Sequence, residues 1–159
     1  MADELASVAA RPNDDRNSVR GRAQLVPELT VSDIGRSLAF WRDLIGFKIL
    51  YDRPEEGFAY LDLGGAELML DQYSPQTRHW LTRPFATPLG NGVNLQVTVG
   101  DVAPILARLA AAGWPLFMPV EDTWYRVAAE ETGQRQLIVA DPDGYLLRLA
   151  QNLGYRAVG

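Results

Sequence analysis

The chain has 159 residues, 47% of them hydrophobic and 22% charged, which suits one globular domain long enough to bury a real core. With no cysteine and a single histidine, His79, disulfides, thiolate metal sites and thiol nucleophiles are excluded, and histidine-based metal or Ser-His chemistry has little to draw on. A net charge of −5 argues against nucleic acid; no apolar run nears the roughly 18 residues of a membrane span and no signal peptide opens the chain, so a cytoplasmic protein is expected.

Residues 1–23 are polar, carry both signs of charge and lack a sustained period, which predicts a flexible N-terminal arm. Leu25 to Val31 reads as a strand. Ser32 or Asp33 caps a helix whose stripe is Ile34, Leu38, Trp41 and Ile45, and Gly46 ends it. Strands follow at Lys48–Tyr51, Phe58–Leu63 and Glu67–Asp71, with Gly64-Gly65 as the hairpin. Residues 74–92, rich in proline and glycine, predict a connector, and His79 is expected at the surface.

The pattern then restarts. Val93–Val99 is a strand, Asp101 a cap, Val102–Ala112 a helix and Gly113 its end. Leu116–Met118, Tyr125–Ala128, Gln136–Ala140 and Tyr145–Ala150 are strand segments, separated by a long loop over 119–135 and by the turn Asp141-Pro142-Asp143-Gly144. Val31-Ser32-Asp33-Ile34 matches Val99-Gly100-Asp101-Val102 at an offset of 68, and Gly65 pairs with Gly144 at 79. Such an internal repeat predicts an α+β fold of two βαβββ modules. Their strands would form one strongly curved mixed sheet with helices on its outer face. The domain covers 24–151, as module one (24–73), the connector and module two (93–151), with a C-terminal tail at 152–159.

Alternation separates the two sheet faces. Leu95, Val97 and Val99 make an apolar side that the helices must cover. The opposite, cup-side set holds Asn94, Gln96 and Thr98; Val26, Glu28 and Thr30; Phe58, Tyr60 and Asp62; Glu67, Met69 and Asp71; and Leu146, Arg148 and Ala150. That lining is mostly acidic and favours a cationic ligand.

The segments VSDIGRSLAFWRDLIGF (31–47), GGAELMLDQ (64–72), VNLQVTVGDV (93–102) and DPDGYLLRLAQ (141–151) resemble the vicinal oxygen chelate superfamily, which contains glyoxalase I, extradiol dioxygenases and bleomycin resistance proteins. The stretch DRPEEGFAYLDLGGAELMLDQ with WYR…GQRQ looks most like the bleomycin resistance branch. In metal-dependent members four strand positions supply His and Glu ligands; carried over here they are Val26, Met69, Asn94 and Arg148, a poor set for a divalent cation. A nonstandard carboxylate site at Glu67 and Asp71 is the remaining metal alternative.

The resemblance implies a homodimeric, non-catalytic protein without cofactor or metal that sequesters a small cationic, aromatic antibiotic of the bleomycin type. Trp41, Phe58, Tyr60, Trp124 and Tyr125 are candidate aromatic walls, although Trp41 lies on the helical apolar stripe. Glu28, Asp62, Glu67, Asp71, Asn94, Gln134 and Arg148 are candidate polar contacts, with Arg135 a further possibility from the long loop. The alternatives are a glyoxalase- or dioxygenase-like enzyme with displaced metal ligands, and a binder of an unrelated small molecule. Neither nucleic acid nor a membrane is an expected partner.

Overall fold

The structure, a computed structural model, describes residues 22–158. The arm expected over 1–23 therefore lies outside the described residues except for Arg22 and Ala23. Module one comprises β1 (Glu28–Val31), α1 (Ile34–Leu38), β2 (Lys48–Arg53), β3 (Phe58–Leu63) and β4 (Ala66–Gln72). Module two comprises β5 (Asn94–Val99), α2 (Ala103–Ala111), β6 (Met118–Val127), β7 (Glu130–Ala140) and β8 (Leu146–Ala157). The α+β, two-module architecture is the one the repeat implies. Its strands are hydrogen-bonded as two four-stranded mixed sheets in the same order, β1-β4-β3-β2 and β5-β8-β7-β6. In each, the first strand runs parallel to the last and every other pairing is antiparallel.

The repeat extends to the caps. Asp33 is the cap of α1, its carboxylate accepting from Arg36 N at 2.8 Å, and Asp101 accepts from Ala103 N at 2.8 Å. A glutamine from the last strand of each module completes the pair. Gln72 Oε1 accepts from Ile34 N at 2.9 Å, and Gln151 Oε1 from Val102 N at 3.2 Å. Helix α1 widens over Ala39–Ile45 into a π-helical stretch, where Gly46 N reaches back to Trp41 O at 3.2 Å. The wide turns bury Phe40, Trp41 and Ile45 together, and Gly46, at φ +108°, leaves the helix as the sequence predicts.

Both modules feed one core. Leu29, Val31, Leu61, Leu68 and Leu70 from the first sheet join Val97, Leu137, Val139, Leu147 and Leu149 from the second around Phe40, Trp41 and Phe47. Arg108 of α2 donates to the carbonyls of Leu44 and Ile45 at 2.7 and 2.9 Å, tying helix to helix. A module shorn of its partner leaves its apolar face in water. A fragment spanning residues 24–73 is expected to show a coil-like circular dichroism spectrum; a folded, cooperatively melting fragment would show that the shared core is dispensable.

Two sequence expectations are corrected here. The stretch 119–135 is a hairpin arm and no loop: β6 and β7 pair down to Val127↔Glu130, and the chain turns at Ala128, at φ +55°. Only Tyr125–Ala128 of this arm reads as a strand in the sequence; the exposed polar residues around it give no apolar period. The tail expected at 152–159 continues β8 to Ala157. Asn152 and Gly154 look like breakers, yet they mark a bulge opposite Gly133/Gln134 across which pairing resumes.

Candidate functional site

Strand alternation puts Glu28, Thr30, Phe58, Tyr60, Asp62, Glu67, Met69 and Asp71 on the face of the first sheet away from the core. Cross-strand rows order them: Glu28–Met69–Tyr60, Thr30–Asp71–Phe58 and Glu67–Asp62. This face is largely occupied by the chain itself, so Phe58, Tyr60 and Glu67 are buried despite facing away from the core. Tyr60 donates to Glu67 Oε2 at 2.5 Å, and Ala23 N donates to the same oxygen at 3.1 Å. Asp62 accepts from Gly65 N at 2.8 Å. Asp71 meets His79 at 3.2 Å, and Arg53 lies 3.9 Å over the Phe58 ring.

His79, expected at the surface, is turned inward: its side chain is 5% exposed and its Nε2 accepts from Ser74 N at 3.0 Å. The connector's polar composition concealed this local fold. The acidic lining is thus mostly engaged by internal partners, and Glu28 stays exposed. Burial, reinforced by the Glu67 carboxylate, pushes the Tyr60 phenol up to about 12, so it serves as a donor at neutral pH.

Sequence reasoning missed Tyr51. A bulge between Ile49 and Tyr51 sets Tyr51 directly opposite Tyr60, whereas unbroken alternation would turn it to the core. The two rings stack at 5.0 Å with an interplanar angle of 20°, beneath the Arg22 guanidinium.

The equivalent face of the second sheet has the opposite character. Its rows are Asn94–Leu146–Ala140, Gln96–Arg148–Ile138–Met118, Thr98–Ala150–Gln136–Glu121 and Asn152–Gln134–Thr123. Among the described residues no carboxylate lies within 4.0 Å of Arg148, and its buried Nε has no hydrogen-bond partner. Gln136, 2% exposed, donates to Tyr125 Oη and Glu121 Oε1, both at 2.8 Å, while its own buried Oε1 accepts nothing. A guanidinium without a counter-ion among the described residues can orient carbonyl or anionic oxygens, while the free Gln136 Oε1 can accept from a ligand donor. Gln136 shares its face with Gln134, but the sequence puts Gln134 in an expected loop, so no alternation carries from one to the other.

Trp124 lies away from this face. Because Tyr125 shares the Gln136 face, Trp124 projects from the other side of the ribbon. There its ring fills the space left by Gly133, where a Cβ would come within 2.8 Å of it, and Arg156 lies 4.1 Å above it. Arg135 is on that side as well, paired with Asp122 at 2.8 Å. Trp41 is core, fully buried, with its Nε1 donating to Asp141 Oδ2 at 3.1 Å. Where the modules meet, a cavity of about 240 Å³ is bounded by Glu67 from one sheet and Gln96 from the other, with Ala23, Leu25 and Pro27 along it. The rest of its lining is largely apolar, with Trp41, Phe47, Leu68, Leu95, Val97 and Leu147.

The positions that the resemblance equates with metal ligands occupy matching places in the two sheets: Met69 opposite Glu28, Arg148 opposite Gln96. Valine has no donor atom, Met69 offers a soft thioether, Asn94 an amide, and Arg148 a fixed positive charge, so these residues do not fit a divalent cation. Glu67 and Asp71 lie four residues apart along one strand, roughly 13 Å at an ordinary strand rise, too far to share an ion. Among the described residues no group of three His, Cys, Asp or Glu could hold a metal, and no helix is long and apolar enough to cross a membrane.

A double βαβββ scaffold with a polar face on each sheet defines a class, and sequence comparison agrees: residues 23–149 match the Glyoxalase/Bleomycin resistance protein/Dioxygenase superfamily. The chain belongs to this superfamily, whose members bind small molecules. Among solved structures, a member of the same superfamily from Vibrio splendidus 12B01 is 36% identical, covering 80% of this chain and 97% of that one, with a TM-score of 0.37. TioX from Micromonospora sp. ML1 is 26% identical over 82% of this chain and 100% of its own, with a TM-score of 0.61. The fosfomycin resistance protein FosX from Listeria monocytogenes shares the fold, at 17% identity, 81% and 92% coverage and a TM-score of 0.54. No curated protein sequence matches the chain.

Proposed function

We propose that this chain is a non-catalytic, cytoplasmic, homodimeric binding protein that sequesters a flat, cationic antibiotic of the bleomycin type. The observation that carries the reading is Arg148: a cation without a carboxylate partner among the described residues stands at a position where metal-dependent relatives, by the resemblance, place a ligand. Stoichiometric sequestration needs no nucleophile, base or metal, only complementary surfaces. In this reading Arg148, Asn94, Gln134 and Tyr125 receive the carbonyl-rich part of the drug, and the aromatic, acidic side formed by Phe58, Tyr60, Asp62, Glu67 and Asp71 receives its cationic part. Glu28, still exposed, adds to the attraction of a cation.

Isothermal titration calorimetry with metal-free bleomycin, run beside elemental analysis of the purified protein, tests this. The expected result is binding near one drug per subunit with no stoichiometric divalent ion. Heat absent with the drug, together with a stoichiometric metal, would transfer the protein to the enzymes of the superfamily. Trp124→Ala is expected to leave the affinity unchanged, since that ring lies on the other side of the ribbon.

A further inference from the structure

Arg22 sits where nothing in the fold requires a cation. Its guanidinium carbon lies 4.8 Å from the centroid of Tyr60 and 5.4 Å from that of Tyr51. These rings stack on one another at 5.0 Å, and both are held by paired strands, β2 and β3. Glu67, 8% exposed, faces the same place and is fixed by the Tyr60 hydroxyl. Aromatic faces backed by a carboxylate form a cation site, with the ring quadrupoles and the negative charge acting together.

The occupant fits this site poorly. Among the described residues, buried Arg22 Nη1 has no hydrogen-bond partner and no carboxylate lies within 4.0 Å of the Arg22 side chain. Glu67 uses only Oε2, for Tyr60 and Ala23; Oε1 accepts no hydrogen bond among the described residues. The segment carrying Arg22 belongs to no strand, and from Ala23 it runs along the seam cavity beside Leu25 and Pro27. An unsatisfied buried donor is a standing cost, so an incoming cation able to reach Glu67 Oε1 would bind better than the residue it displaces.

We propose that Tyr51, Tyr60 and Glu67 form a binding subsite for a guanidinium or alkylammonium group, and that Arg22 is a built-in surrogate which the ligand's cation displaces, lifting the 22–27 segment from the seam. The assignment rests on the binding reading above and specifies which part of a ligand goes where.

The test uses a small probe, so that it does not stand or fall with the antibiotic. Ring resonances of Tyr51 and Tyr60 are followed by NMR while ethylguanidinium is titrated into the full-length protein. Arg22→Ala is expected to tighten probe binding about tenfold by removing the internal competitor, with Arg22→Gln giving the same order should the alanine variant fold poorly. Adding Tyr51→Leu to either variant is expected to abolish the gain. Identical probe affinity with and without Arg22, or shifts confined to other residues, would overturn the proposal. A probe response that depends on Arg22, combined with no calorimetric signal for bleomycin, would leave the cation subsite standing and remove the antibiotic.

Discussion

Replacing Asp141 with alanine is expected to destabilise the protein by about 3 kcal/mol or more, on the order of a 10 °C fall in Tm, read by urea and thermal denaturation. Asp141 closes the turn of module two, its Oδ1 accepting from Asp143 N at 3.0 Å and Tyr145 N at 2.9 Å. Its Oδ2 takes the Trp41 Nε1 proton at 3.1 Å from module one. Alanine deletes all three bonds and strands the indole N–H inside the core, where an unpaired donor is expensive. Asparagine keeps an oxygen for the turn but turns an amide toward a donor, so a smaller loss of about 1–2 kcal/mol is expected.

The pH dependence of this loss has a definite sign. Burial raises the Asp141 carboxyl above its ordinary 3.8, and the bonds from Tyr145, Trp41 and Asp143 only partly offset this. A folded-state value above the unfolded one means that the folded protein holds the proton more tightly. The associated stability is complete below pH 3.8 and is lost as pH rises through the folded value. The advantage of wild type over Asp141→Asn is therefore expected to shrink as pH rises from below 4 toward neutrality. A gap that widens instead would mean that hydrogen bonding outweighs burial at this carboxylate.

Arg148→Met is expected to act in the opposite direction on stability and to cripple binding. The Nε of Arg148 is buried without a partner, so an unbranched apolar side chain of similar length removes an uncompensated donor. A gain of about 1 kcal/mol, or a few degrees in Tm, is the expected result. If ligand oxygens satisfy that donor, the same change lowers affinity by roughly tenfold to a hundredfold, the range for a hydrogen bond to a charged group. A residue kept for binding at the expense of stability gives this split. Loss of stability with unchanged calorimetry would assign Arg148 to the framework and leave the second sheet's face without its anchor.

How much of this was legible in the sequence depended on whether a residue obeyed its strand. The two-module fold followed from the paired motifs around Asp33 and Asp101 and around Gly65 and Gly144. Gln72 and Gln151, the last residues of GGAELMLDQ and DPDGYLLRLAQ, share the offset of the glycines, but their contacts with the helix N-termini emerge only from the structure. Alternation placed Glu28, Phe58, Tyr60, Asp62, Glu67, Asp71, Asn94 and Arg148 on the polar faces. It failed where a bulge intervened, turning Tyr51 onto Tyr60, and it was not applied to Trp124 and Tyr125, adjacent residues that strand alternation sends to opposite sides. Which partners fill a face cannot be read from alternation at all. Nothing in the sequence shows that Glu67 is held by Tyr60 and Ala23, that Asp71 meets His79, or that Arg148 meets no carboxylate among the described residues. Those are tertiary facts set by a connector and an entering segment that carry no period.

The ties between modules impose an order in time. Trp41 to Asp141 spans 100 positions, Ser32 to Asp143 spans 111, and the Tyr145 hydroxyl bond to Thr30 O spans 115. At ordinary synthesis rates of about 5–20 residues per second, the Trp41 indole waits on the order of 5–20 seconds for the turn that accepts its proton. During that interval the apolar stripe of α1 and the edge of β1 have no partner, and β1 cannot pair with β4 until β4 itself has been made. Closure of such distant contacts is slow relative to local turns, so the nascent first half is the species most open to aggregation and chaperone capture. Destabilising the Asp141 turn lengthens the exposure, and its first symptom in the cell is a lower yield of soluble protein.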